Sequence, residues 1–122
     1  MHVRVCIASQ DPGELEGLVL APLEESEVLD YYDVTEDGAF THVAQTRQCA
    51  STCSDGVDGI SRRGATDVIV VGLSPNSMVK FWRAGVRVYR ANSRSVPELM
   101  KSFLAGSLPE IKIGQFASLA KR

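Results

Sequence analysis

Residues Gly72 to Asn76 read G-L-S-P-N and follow directly on D-V-I-V-V. Ser74 has the form of an N-cap, and Pro75 suits the first helical position. A buried strand therefore opens straight into a helix. Such a junction presents unpaired backbone N–H groups and the positive end of the helix dipole, which is chemistry for an anion. The plainer reading of the same residues is a well-capped helix start and nothing more.

The second constellation is Cys49 and Cys53, spaced C-x-x-x-C. On a helix they would share one face; in a loop they could still converge. Thiolates suit copper, iron or zinc. Two ligands do not close a zinc site, which takes four, and His42 and Cys6 are the nearest further candidates in sequence. A reversible redox pair and inert thiols remain open alternatives. Cys6, within an apolar run, reads as a buried core residue.

The other candidates are weaker. His2 and His42 have no nucleophile beside them in sequence. Glu24, Glu25 and Glu27 read as a solvated acidic loop, and Asp33, Asp37 and Asp67 as turn and strand-end residues. There is no G-x-G-x-x-G, no P-loop and no G-x-S-x-G. Without an acid–base or nucleophile pair, turnover is not expected.

The elements that must position these residues fit in one domain: 122 residues, 44% of them hydrophobic, are enough for a proper core. Thirteen basic residues stand against 15 acidic ones, so no general attraction to nucleic acid follows. No apolar stretch is long enough to span a membrane. The N-terminal M-H-V-R-V-C-I-A-S alternates too much for a signal sequence and reads as the first strand. A cytoplasmic location is expected. Three cysteines there are thiols or metal ligands rather than bridges.

The first strand is expected over Val3 to Ala8, apolar or small on both faces and hence central. Gln10 to Leu23 reads as a loop with room for a short strand-like or helical piece. Strands over Val28 to Val34 and Ala39 to Thr46 flank Asp37-Gly38, a hairpin signal that makes them antiparallel neighbours. A polar loop spans Gln48 to Asp58, and a short helix ends at Gly64. Asp67 to Val71 is a buried strand. The next helix runs from Ser74 to Gly85, with Met78, Val79, Phe81 and Trp82 facing the sheet. Val86 to Tyr89 is a strand. Ser95 to Glu98 has capping-box spacing and opens a last helix that stops at Gly106. Residues 1–110 form the expected domain, and 111–122 a tail.

Four segments together resemble one family. They are Y-Y-D-V (Tyr31 to Val34), D-V-I-V-V-G (Asp67 to Gly72), A-G-V-R-V-Y-R-A (Ala84 to Ala91) and S-V-P-E-L-M-K-S-F-L-A-G-S-L (Ser95 to Leu108). In order and spacing they are similar to the dinitrogenase iron–molybdenum cofactor binding family, which includes nitrogenase accessory carriers and the orange protein. The resemblance implies an α/β fold: three layers, α/β/α, around a five-stranded mixed sheet with a ribonuclease H-like motif and strand order 3-2-1-4-5. It also implies a non-catalytic carrier of an iron–molybdenum or molybdenum–copper sulfide cluster, or of a precursor. Its partners would be protein donors or acceptors of the cluster. One family feature is missing. Where members commonly carry His-Phe-Gly before the Tyr-Asp pair, this chain has Pro22, Leu23 and Glu24.

Given that strand order, a crevice opens at the carboxyl edge between strands one and four. Ser9, Gln10 and Asp11 are expected on one side, and Gly72, Leu73, Ser74, Pro75 and Asn76 on the other. The loop with Cys49 and Cys53 is expected at the same edge as a metal-ligating element. Two alternatives stand beside the carrier: a regulatory or interaction module that has lost the cluster, and a small zinc or redox protein built on Cys49 and Cys53.

Overall fold

The computed structural model describes residues 3–47 and 56–112. Cys49 and Cys53 lie outside the described residues. Six strands form one sheet: β1 (Val3–Ser9), β2 (Val28–Val34), β3 (Phe40–Arg47), β4 (Asp67–Val70), β5 (Arg87–Arg90) and β6 (Glu110–Ile111). Their order is β3-β2-β1-β4-β5-β6. β1, β4 and β5 run parallel, while β2, β3 and β6 are antiparallel to their neighbours. The expected 3-2-1-4-5 order therefore holds, with a sixth strand added at the end. β6 carries the sheet past Pro109, where the sequence suggests only a tail. It is two residues long, too short for a periodic signal.

Three helices cover the sheet: α1 (Gly56–Arg62), α2 (Pro75–Ala84) and α3 (Val96–Leu104). Alternation along β1 divides the core. Cys6 and Ala8 face α1 and α2, with Ile60, Met78 and Phe81 packed on them. Val5 and Ile7 face α3, with Val96 and Leu99 on them. This is the three-layer arrangement expected. α2 begins and ends as its local signals dictate: Ser74 Oγ accepts from Ser77 N, and Gly85 closes the helix at φ 76°. Two local expectations fail. Ser95 makes no side-chain cap to α3. Trp82 does not face the sheet; it is 59% exposed, because Phe81 takes the inward position and the next residue turns about 100° away.

Between β1 and β2 the chain makes two single 3-10 turns, Glu14–Glu16 and Leu23–Glu25. The first lies over the sheet on the α3 side. Gly13, at φ 78°, brings its backbone so close that a Cβ would sit 2.7 Å from both Asp30 Oδ2 and Val28 Cγ1. Gly13→Ala should therefore cost about 2–4 kcal/mol, part left-handed strain and part overpacking. Gly85→Ala is the control: it has a similar φ but nothing within 4 Å of the added carbon, so only the strain of about 1–2 kcal/mol applies. Urea unfolding of the two variants checks the difference.

Candidate functional site

The carboxyl ends of β1, β4 and β5 share one edge of the sheet with the end of β3. Gly72, Leu73 and Ser74 lead from this edge into α2, and Pro75 and Asn76 form its exposed first turn. Leu73 packs partly on the core, and Gly72 offers its carbonyl to Leu23 N at 2.9 Å. That bond fixes the Leu23–Glu25 turn against the start of α2. Leu23 is buried, and Ser26 Oγ donates back to Pro22 O at 3.0 Å, closing the turn on itself.

The consequence is the placement of Glu24. Its Oε2 accepts from Ser74 N at 3.1 Å and from the Ser77 hydroxyl. A carboxylate from 50 residues away thus occupies the positive end of α2. Burial pushes the Glu24 pKa up, but the hydrogen bonds from Ser77 and Ser74 outweigh it and hold the carboxyl below its ordinary range. Of the residues from Gly72 to Asn76, Ser74 donates its N–H, and the acceptor is the protein's own Glu24 side chain. The acidic run at Glu24 is not simply a solvated loop. Pro22 to Glu24 are also the positions that depart from the family's His-Phe-Gly.

Ser9 and Gln10 are not brought to the start of α2 as expected. Ser9 lies on the α3 face, opposite α2, with 1% exposure. The Gly13–Gly17 turn covers it: a Cβ on Gly17 would fall 2.7 Å from Ser9 Oγ. Gln10 is spent on the loop. Its N–H donates to Leu18 O at 3.0 Å, its carbonyl accepts from Gly13 N at 2.8 Å, and its Oε1 accepts from Glu27 N at 3.3 Å. Strand alternation decides this. A residue sharing a face with Val5 and Ile7 cannot point at a helix packed on Cys6 and Ala8.

A polar cluster that single residues do not announce lies under the same turn. Asp30 is 1% exposed and acidic, yet fully partnered. Its Oδ1 meets His42 Nε2 at 2.8 Å and accepts from Gln45 Nε2 at 2.9 Å; its Oδ2 accepts from Glu14 N at 2.7 Å. His42 and Gln45 are three apart on β3 and would face opposite ways in a regular strand. A register shift opposite Tyr31 and Tyr32 turns both toward Asp30. The His42 ring also stacks obliquely on Tyr32, 5.1 Å between centroids. The cluster ties loop, β2 and β3 together.

Cys6 is fully buried, and desolvation pushes its thiol pKa far up, so it is not an available thiolate. Among the described residues no group of three or more His, Cys, Asp or Glu is arranged to hold a metal ion. No helix among them is long and apolar enough to cross a membrane.

Searches against protein-family profiles and against curated proteins return no match. Solved structures do match. A protein from Thermotoga, provisionally described as a NifB protein, is 28% identical over 88% of this chain and 92% of its own, with a TM-score of 0.69. A protein from Methanocaldococcus jannaschii, provisionally described as a dinitrogenase, is 14% identical over 91% and 96%, TM-score 0.70. The apo form of the orange protein from Desulfovibrio gigas is 16% identical over 88% and 92%, TM-score 0.65. The resemblance read from the sequence is thereby borne out: over nearly its whole length this chain has the fold of the dinitrogenase iron–molybdenum cofactor binding family.

Proposed function

We propose that this protein is a non-catalytic carrier of an anionic metal–sulfur cluster, or of a thiometallate precursor, held at the carboxyl edge of the sheet. The observation that carries the reading is the seat at the start of α2. Ser74 N and Ser77 Oγ converge on a single anionic oxygen there, and these are the donors an oxo- or thio-anion would use. The likeness to the orange protein and to a NifB-described protein supports the same class of cargo. Molybdenum with iron or with copper is the proposed metal content. Cys49 and Cys53 are the proposed soft ligands. The cluster would be passed to or from a protein partner in the cytoplasm.

Glu24 sets the condition for loading: a cluster anion must displace its carboxylate or bind beside it. Anaerobic incubation with iron, sulfide and molybdate, or with copper and tetrathiomolybdate, should give a charge-transfer band that co-elutes with the protein. The band should weaken in Cys49→Ser/Cys53→Ser. Absence of a band with every metal would remove the reading. The seated carboxylate favours one alternative, an interaction module on the same fold that has given up the cluster; a stable complex of metal-free protein with a partner would support it.

A further inference from the structure

A second cleft opens on the carboxyl edge, beyond β4, and it is not part of the α2 seat. Its volume is about 420 Å³, within the range of small-molecule sites. It is lined by the apolar residues Val19, Leu20, Val71 and Ala91 and by the polar residues Asn92, Ser93 and Arg94. Two contacts fix the walls. Val19 N donates to Arg94 O at 2.9 Å, and Leu18 bridges to Ser95. Ala91 N donates to Val70 O at 2.7 Å, which anchors the strand-five side.

The charge pattern of the cleft is one-sided. No Asp or Glu lines it, and Arg94 makes no ion pair among the described residues. The Ser93 hydroxyl oxygen accepts from Ser95 N at 3.1 Å, which leaves its O–H to donate outward. Guanidinium, amide and hydroxyl are therefore the polar groups of a cleft otherwise lined by apolar residues, with no carboxylate among its lining. A guanidinium fork matches two oxygens of one planar group. An apolar wall matches a short hydrocarbon body. Leu20 is 48% exposed at the rim and would be covered by such a body.

We infer that this cleft is a binding site for a small organic carboxylate with an apolar chain, the carboxylate on Arg94 and the chain against Leu20, Val71 and Ala91. Binding is weak, because the cleft is open and the ligand keeps part of its surface in water. The site is independent of cluster loading, since none of its residues takes part in the Glu24–Ser74–Ser77 seat.

Hexanoate, hexylamine and inorganic phosphate, titrated separately into the full-length protein and followed by amide chemical shifts, test the assignment. Hexanoate should give saturable shifts confined to residues 19–20, 71 and 91–94. Arg94→Gln should weaken it by on the order of tenfold, with an unchanged melting temperature because the side chain is exposed. Hexylamine and phosphate should each bind at least tenfold more weakly than hexanoate. Equal binding of hexanoate by Arg94→Gln, or equal binding of hexylamine or phosphate by the native protein, would overturn the proposal. So would saturable shifts centred elsewhere.

Discussion

Asp30→Ala should destabilise the protein by about 3–5 kcal/mol. Asp30 is buried, and its carboxylate is the common acceptor for His42, Gln45 and the backbone N–H of Glu14. Truncation removes the acceptor and leaves three donors without it. Two of them are held in place by the sheet register and cannot turn to water without breaking it. Asp30→Asn keeps the shape and one acceptor oxygen, and should cost less, about 1–2 kcal/mol. Thermal unfolding reads the series directly; the alanine variant should melt on the order of 10 °C or more below the native protein. A loss under about 1 kcal/mol for Asp30→Ala would mean that the cluster is not what fastens the 10–18 loop to β2 and β3.

Glu24→Gln should raise the affinity of the α2 seat for an added oxo- or thio-anion by about tenfold, at a cost in stability of about 1 kcal/mol. The carboxylate now satisfies Ser74 N and Ser77 Oγ. Glutamine can still accept from one of them but no longer repels a second negative charge at the same point. The pH dependence has a definite sign. Hydrogen bonding holds the native Glu24 pKa below its ordinary value, so its contribution to stability is present above the ordinary glutamate range. That contribution is lost as pH falls through the lowered native value. The wild-type seat should open to anions over the same acidic interval, while Glu24→Gln should show no such step there.

What the sequence disclosed and what it withheld follow one division. Features written in consecutive residues were legible. Ser74, Pro75 and Gly85 mark the ends of α2, Asp37-Gly38 turns β2 into β3, and the Val/Ile run at 67–70 is the buried strand it reads as. Features made by pairing across the chain were not. Glu24 caps a helix 50 residues on, and nothing around it in sequence signals a cap. His42 and Gln45 meet Asp30 only because of a register shift that depends on β2. Ser9 reaches the carboxyl edge but shares its face with Val5 and Ile7, an alternation legible in the sequence that points it away from α2. Trp82 reads as apolar face by composition, and only the fixed rotation between neighbours turns it outward once Phe81 faces in.

The start of α2 is proposed as an anion seat for a metal–sulfur cargo, guarded by Glu24. The most direct test is an anaerobic titration of the native protein and of Glu24→Gln with tetrathiomolybdate and copper(I), followed by gel filtration with detection in the charge-transfer region. Colour should elute with both proteins and saturate at a lower concentration for Glu24→Gln. Colour that elutes free of both proteins at every concentration would contradict the claim.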